Sequence, residues 1–298
     1  MHKVNFIHKF MLLRRVIISL MIFTVTIDSF SQKYPDTFMP GIISTNEYDS
    51  HPAFTPSGDT LFFIRCSADI NTCSSIYVSY KRNQKWTNPV VATFSGKYYD
   101  ADPFVTKDGK TIYFVSNRPL KDGDSLKADW DIWKSELTAS GWTNPIHLDA
   151  PINSSADEYY PTLSDNGTMY FGSTRAAGKG GSDIYSSRLT DKRYASPENI
   201  GDSINTLDNE YEPFIAPDES YLIFMATVPK GLINADIFMS RNIGGKWSKA
   251  QKINSPINSN AIEWSPKVTR DKKYFFFGST RNGLGDIYYV DFSALKLK

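Results

Sequence analysis

An acidic residue three positions before a proline recurs five times along this chain, and this repeat constrains the fold more than any other feature. The pairs are Asp49 with Pro52, Asp100 with Pro103, Glu158 with Pro161, Glu210 with Pro213 and Glu263 with Pro266. Successive prolines lie 51, 58, 52 and 53 residues apart. A period near fifty residues built from short strands indicates a propeller or a related array, because each unit must bury its apolar faces against its neighbours.

Each repeat predicts four strands. A short run after the proline leads through a polar turn into a second strand that is dense in aromatic and branched residues. A third strand follows, such as 131–133, and a fourth begins near Trp86, Trp142, Tyr194 or Trp247. Four strands per repeat predict an all-β fold, a five-bladed β-propeller. Repeats four and five lack the glycine of this turn, which predicts a different turn type there.

The two ends of the repeat pattern predict how the ring closes. The fifth repeat lacks a fourth strand, and the segment 38–43 before the first repeat has the composition of one. We expect this N-terminal strand to complete the last blade, because closure removes a free sheet edge. The prediction places residues 32–298 in a single propeller domain.

The first 31 residues have the composition of a signal peptide. Four basic residues precede an apolar run at 16–26, and Ser29 and Ser31 occupy the two positions that signal peptidase reads. The sequence therefore predicts a periplasmic or secreted protein with no transmembrane segment after signal removal. An uncleaved signal anchor is the alternative.

Net charge and cysteine content bear on the class of partner and on a possible disulfide. The formal net charge is +1 without long charged blocks, which argues against a nucleic-acid partner. The only cysteines, Cys66 and Cys73, flank a short loop of the first repeat. Export would permit a disulfide between them, and a pair of free thiols is the alternative.

The order proline, Asp-Gly, Tyr-Phe, Ser-x-Arg and Asp-Ile-Tyr resembles the TolB-type, WD40-like β-propeller repeat of exported bacterial proteins. The Ser-x-Arg part stands at 116–118, 173–175 and 279–281, and the resemblance covers roughly residues 37–291. It implies a monomeric, non-enzymatic binding scaffold for a protein or glycan partner of the cell envelope. No cofactor and no metal are implied.

Two sets of charged residues have structural interpretations. Each Ser-x-Arg arginine is predicted to pair with an aspartate across the following loop, as Arg118 with Asp131, Arg175 with Asp183 and Arg281 with Asp286. The five repeated acids are predicted to accept backbone N–H bonds in the loop that enters the innermost strand.

The residue before each proline differs between repeats, which is typical of functional positions on a repeated scaffold. These five candidate ligand-binding residues are His51, Asp102, Tyr160, Glu212 and Ser265. We expect them near the rim of the central channel. Aromatic residues beside them are candidate partner-binding anchors, with packing between blades as the alternative: Tyr159, Tyr211 and Trp264.

A second functional hypothesis is a glycoside hydrolase with carboxylates at the channel mouth. Asp102 followed by Pro103 resembles the Asp-Pro motif of five-bladed arabinanases, and Glu212 would be the proton donor. The chemistry needs an acid and a base on either side of the glycosidic bond. However, His51 and Tyr160 stand where further acids are expected. A metal held by His51, Asp102 and Glu212 is formally allowed.

Overall fold

A computed structural model of the chain describes residues 32–66, 75–227 and 235–296, which form five small antiparallel sheets arranged as a five-bladed β-propeller. The segment 1–31, in which the signal peptide is predicted, lies outside the described residues. The innermost strands of neighbouring blades contact one another in a closed circle. This circle surrounds the central channel.

The strands follow the repeats. The first strand is β1 (Asp36–Thr37). Blade one contains β2 (Tyr48–Phe54), β3 (Thr60–Cys66), β4 (Ile76–Arg82), β5 (Lys85–Trp86) and β6 (Val90–Val91). Blade two contains β7 (Asp100–Val105), β8 (Thr111–Ser116), β9 (Asp131–Thr138), β10 (Gly141–Trp142) and β11 (Ile146–His147). Blade three contains β12 (Glu158–Leu163), β13 (Met169–Ser173), β14 (Asp183–Ser187), β15 (Leu189–Thr190), β16 (Arg193–Tyr194) and β17 (Glu198–Asn199).

Blades four and five follow the same order. Blade four contains β18 (Asn209–Ile215), β19 (Tyr221–Thr227), β20 (Ala235–Ile243), β21 (Lys246–Trp247) and β22 (Gln251–Lys252). Blade five contains β23 (Glu263–Val268), β24 (Tyr274–Ser279) and β25 (Asp286–Asp291), and a 3-10 helix spans Phe292–Leu295. In blades one, two and four the predicted fourth strand is two short segments that both pair with the third strand. Among the described residues, no helix is long and apolar enough to cross a membrane.

The hydrophobic core lies between the blades. Each of the five gaps holds a cluster of buried side chains, and the second strand of each blade contributes to the clusters on both of its sides. A sixth, smaller cluster contains Met225, Ala235 and Trp264. In β3, for example, Phe62 packs towards blade two and Phe63 towards blade five. This alternation explains why the second strands are apolar along their whole length.

The N-terminal strand closes the ring, as the sequence predicts, but at a different place. Asp36 and Thr37 of β1 pair with Tyr289 and Tyr288 of β25, so the predicted strand at 38–43 begins two residues too late. Phe38, which follows β1, is buried among the rings of the first and last blades. The apolar character of 38–43 therefore reflects packing across the closure.

The turns of blades four and five keep the geometry of the others, so the predicted change of turn type is wrong. Gly58, Gly109 and Gly167 have φ of 69°, 69° and 91°, and Glu219 and Lys272 have φ of 58° and 55° at the same place. Each donates its backbone N–H to the carbonyl three residues earlier. Two non-glycine residues thus adopt a left-handed conformation that costs them free energy.

The repeated acids accept backbone N–H bonds, as predicted, in four of the five blades. Asp49, Glu158, Glu210 and Glu263 each accept the N–H of a residue four positions earlier. Oδ2 of Asp100 instead accepts a hydrogen bond from the hydroxyl of Ser95, at 2.8 Å. These bonds fix the loop that leads into each innermost strand.

The arginines bind these acids and not the aspartates that the sequence predicts. Arg118 pairs with Asp100, Arg175 with Glu158 at 2.9 Å and Arg281 with Glu263 at 3.2 Å. The predicted partners Asp131, Asp183 and Asp286 are therefore wrong. Blade one lacks Ser-x-Arg, yet Arg65 pairs with Asp49 at 2.7 Å. In blade four the carboxylate of Glu210 accepts hydrogen bonds from the N–H and the hydroxyl of Thr206.

Three buried asparagines hold the loops between blades. Asn153, Asn205 and Asn258 each accept the backbone N–H of an isoleucine in the third strand and donate to the carbonyl of the same isoleucine. The side-chain amide thus forms, at one residue, the two hydrogen bonds that a neighbouring strand would otherwise form. This pairing satisfies both backbone groups at the sheet edge.

Replacing Asn205 with alanine should lower the free energy of unfolding by about 1–3 kcal/mol, because the N–H of Ile184 would lose its partner inside the protein and its C=O would keep only the N–H of Ile200. Urea denaturation at neutral pH measures the change. Asn166 is also exposed, but its side chain accepts the N–H of Thr168 within its own turn, so it is not a suitable control for Asn205. An exposed control is Asn282→Ala, whose effect should stay within about 0.5 kcal/mol. Equal effects would contradict this role of Asn205.

Cys66, at the end of β3, is disulfide-bonded. Cys73 lies outside the described residues, so its predicted pairing with Cys66 stays a prediction.

Candidate functional site

The residue before each repeated proline has an unusual backbone conformation. His51, Asp102, Tyr160, Glu212 and Ser265 have φ of 56°, 55°, 53°, 54° and 44°. The pairing register of each innermost strand shifts at this point. A left-handed conformation costs a non-glycine residue about 1–3 kcal/mol, and a following proline restricts it further. The surrounding structure must hold all five residues in place.

His51 lies at the centre of these five residues, which we call the channel ring. Its Nε2 is 3.4 Å from Oδ1 of Asp102 and 3.3 Å from Oε1 of Glu212. Its imidazole stacks on the ring of Tyr160, with centroids 5.6 Å apart and planes 7° apart. The hydroxyl of Ser50 lies 2.7 Å from Nδ1. One imidazole thus contacts residues from three other blades.

The channel ring also links successive blades through backbone bonds. Oδ2 of Asp102 accepts the N–H of Tyr160 at 3.3 Å, and Oε2 of Glu212 accepts the N–H of Ser265. Oγ of Ser265 accepts the N–H of His51 at 3.4 Å. In each case a side chain of one blade accepts the backbone N–H at the same position in the next blade. The polar side chains of the ring therefore stabilise the contacts between blades.

The channel ring is buried. His51, Asp102, Glu212 and Ser265 are 8%, 7%, 5% and 1% exposed, and Tyr160 is half-buried. The structure brings the five predicted ligand-binding residues together, as the repeat predicts. It places them inside the channel and in contact with one another, and not at an open rim.

Burial and proximity shift the pKa values of the ring. Burial raises the pKa of Asp102 to about 7, against the effect of His51, and the nearby Glu212 adds to the rise. Burial alone would lower the pKa of His51, but the charges of Glu212 and Asp102 outweigh it and raise that pKa. Asp102 therefore takes up or releases its proton near neutral pH.

His51, Asp102 and Glu212 are the residues that the sequence allows as metal ligands, and they contact one another in the channel ring. Within the described ranges, no group of three or more His, Cys, Asp and Glu residues has the geometry to hold a metal ion. Nε2 of His51 is the atom that approaches both the Asp102 and the Glu212 carboxylates.

Aromatic side chains gather beside the channel ring, and we call Tyr48, Tyr159, Tyr160 and Tyr211 the mouth cluster. All four are half-buried, and the rings of Tyr159 and Tyr160 lie 5.8 Å apart. Burial, together with the charge of Glu212, raises the pKa of the Tyr48 and Tyr160 hydroxyls. The cluster therefore adjoins the ring and also reaches solvent.

Trp264 does not belong to the exposed part of this surface. It is 4% exposed and stacks on Tyr48, with centroids 5.5 Å apart. A Cβ at Gly278 would lie 2.5 Å from Trp264, and one at Gly285 would lie 2.5 Å from Tyr48, so two glycines make room for the stack. Packing between blades, the alternative to partner binding, accounts for Trp264.

Lys267 is a channel residue that the sequence analysis missed. It follows Pro266 directly, and burial lowers its pKa to about 8 although Glu212 and Asp102 oppose this shift. The other blades have Ala53, Phe104, Thr162 and Phe214 at this position. A charged residue in one copy of a mostly apolar position is the signal that would have identified it.

No protein family profile and no curated protein matches this sequence. Several solved structures are similar to it. TolB from Acinetobacter baumannii is 13% identical with a TM-score of 0.53, over 84% of this chain and 53% of that one. The α-L-arabinofuranosidase from Lactobacillus brevis is 12% identical with a TM-score of 0.54, over 82% and 90% of the two chains.

An endo-arabinase from Bacteroides thetaiotaomicron is 13% identical with a TM-score of 0.53, over 84% of this chain and 96% of the enzyme. At such identities these similarities show the propeller fold alone. The chain spans about half the length of the TolB structure that it matches. The resemblance to the TolB-type repeat is thus supported at the level of the fold, with TolB among the structural neighbours.

Proposed function

We propose that this protein is an exported, non-enzymatic binding scaffold for a protein or glycan partner of the cell envelope. The observation that carries the proposal is the engagement of the two channel carboxylates by the protein itself. Asp102 and Glu212 are buried, contact His51 and accept backbone N–H bonds from the next blade. The channel ring has a structural role, and the adjoining mouth cluster is left to meet a partner.

The mouth cluster has the chemistry of a recognition surface. Burial raises the pKa of the Tyr159 and Tyr211 hydroxyls, so both stay neutral and can donate hydrogen bonds at physiological pH. Rigid tyrosine rings supply large contact areas at a low entropic cost, and partly buried rings lose little further freedom on binding. Sugars and apolar side chains both pack well on such rings.

Replacing Tyr159 and Tyr211 together with alanine should weaken binding to isolated cell envelopes at least about tenfold, because interface tyrosines commonly contribute 1 kcal/mol or more each. Co-sedimentation of the purified propeller with envelopes, over a range of concentrations, measures this. The matched control is Tyr80→Ala, since Tyr80 of β4 is 38% exposed and stands outside the mouth cluster. Unchanged binding by the double variant would argue against the proposal.

A glycoside hydrolase is the second candidate, because two of the structural neighbours are an arabinofuranosidase and an endo-arabinase. Catalysis would require a sugar between an acid and a base. In this protein Nε2 of His51 lies 3.4 Å from Oδ1 of Asp102 and 3.3 Å from Oε1 of Glu212. Both carboxylates are buried and engaged by the protein itself, which disfavours them as a free acid and base for a sugar.

We therefore expect the purified protein to release no reducing sugar from arabinan and no nitrophenol from nitrophenyl arabinofuranoside. The decisive comparison is between the wild-type protein and the Asp102→Asn and Glu212→Gln variants. Hydrolysis that is present in the wild type and lost in both variants would support the enzyme and overturn the scaffold.

A further inference from the structure

A cavity lies at the other end of the channel, between the repeated prolines and the strand turns. Its volume is about 90 Å³, and all five innermost strands contribute to its wall. Apolar side chains form most of that wall: Ala53, Phe104, Leu163, Phe214 and Val268. The mouth cluster precedes the prolines in sequence and is absent from this lining. The cavity is therefore a separate site.

Lys267 also lines this cavity. Among the described residues, its ammonium group forms no hydrogen bond and no ion pair. The other cationic residues of the lining are engaged: Arg270 binds the carboxylate of Asp165, Lys107 donates to the carbonyl of Asp165 and Lys272 lies 3.9 Å from Asp218. Lys267 is thus a cation that faces an apolar cavity without a partner.

The channel carboxylates do not neutralise Lys267. Glu212 and Asp102 act on it through space but lie beyond ion-pair distance, and burial still lowers the pKa of its ammonium group to about 8. At neutral pH the group remains mainly charged. Lys267 is half-buried, a charge that is partly withdrawn from water without a partner is unfavourable, and an anion inside the cavity would supply the missing partner.

We propose that this cavity binds a small monocarboxylate, with its carboxylate on Lys267 and its compact apolar body against the side chains of the five innermost strands. The combination of an apolar wall and one converging charge is typical of small-molecule sites. The volume is smaller than the ~150 Å³ of an engineered cavity that binds benzene, so a short branched acid such as isovalerate fits better than an aromatic one.

Calorimetric or ligand-observed NMR titration with isovalerate tests the proposal, with the neutral isovaleramide as the matched probe. The wild-type protein should bind isovalerate saturably and isovaleramide at least about tenfold more weakly. Lys267→Met should reduce the affinity for isovalerate at least about tenfold, and Lys267→Arg should retain most of it. The control Lys110→Met, at an exposed lysine outside the cavity lining, should leave it unchanged.

A measurement on the wild-type protein covers the case in which Lys267→Met fails to fold. Isovalerate should slow the acetylation of Lys267 by an N-hydroxysuccinimide ester, read by peptide mass mapping, without slowing that of Lys110. The proposal is overturned by absence of saturable binding, by equal affinity of the wild type and Lys267→Met, by equal affinity for the amide, or by unaltered acetylation of Lys267.

Discussion

Replacing Arg118 with methionine should lower the free energy of unfolding by about 3–5 kcal/mol. The guanidinium group is buried and donates to the Asp100 carboxylate, the Ser116 hydroxyl and the Phe94 carbonyl. Methionine fills a similar volume but leaves the Asp100 carboxylate charged and without its cation inside the protein. Urea denaturation at pH 7, followed by tryptophan fluorescence, measures the change.

The matched control is Arg82→Met, because Arg82 is exposed and packs only over the ring of Tyr80 among the contacts described for it. Its effect should remain within about 0.5 kcal/mol. The double variant Arg118→Met with Asp100→Asn should recover part of the loss, since the unpaired charge is removed. A cost for Arg118→Met no larger than that for Arg82→Met would show that the ion pair does not stabilise the blade.

Asp102→Asn should become more stabilising, relative to the wild type, as pH rises from 5 to 8. Burial raises the pKa of Asp102 to about 7 in the folded protein, whereas the pKa of an unfolded aspartate is about 4. Between these values the folded state holds a proton that the unfolded state has lost, so the wild type loses stability as pH rises. Asparagine does not titrate, and the stability difference should grow by about 2 kcal/mol or more.

Urea denaturation of both proteins at pH 5 and pH 8 measures this difference. Glu212 and Asp102 both raise the pKa of His51, so Asp102→Asn also reduces the stability that His51 loses as pH rises, and this change has the same sign as the effect of Asp102 itself. The exposed Asp124→Asn is the control and should show the same difference from wild type at both pH values. If the free energies of unfolding of Asp102→Asn and the wild type differed by the same amount at pH 5 and pH 8, the pKa of Asp102 would not be raised in the folded protein, and the account would be contradicted.

The sequence predicts the propeller because the repeat reports a property of every blade. It does not predict the partners of the arginines. The aspartates at the other end of the same loop are the nearest acids in sequence, but the repeated acids of the innermost strand are nearer in space. Asp100 lies directly opposite Ser116 in the register of β7 and β8, and Arg118 follows two residues later. In blade one, Arg65 itself lies opposite Asp49. Applying the hairpin register to the repeat would have identified both pairs.

The candidate site is predicted in part. Comparison of the repeats identifies the five residues of the channel ring, but not that they are buried. Their burial follows from left-handed bulges, which non-glycine residues before proline rarely adopt and which no sequence rule predicts. Lys267 stands at the position after the proline, which also differs between repeats and therefore carries the same kind of signal.

Site-specific photo-crosslinking tests the central claim, that the mouth cluster meets an envelope partner. Tyr211 is replaced by p-benzoylphenylalanine, and cells producing the full chain are irradiated and analysed for covalent adducts. We predict a discrete adduct from position 211 that is missing when Tyr80 is replaced in the same way, and that persists when Asp102→Asn and Glu212→Gln are added. No adduct from position 211, or the same adduct from position 80, would contradict the account.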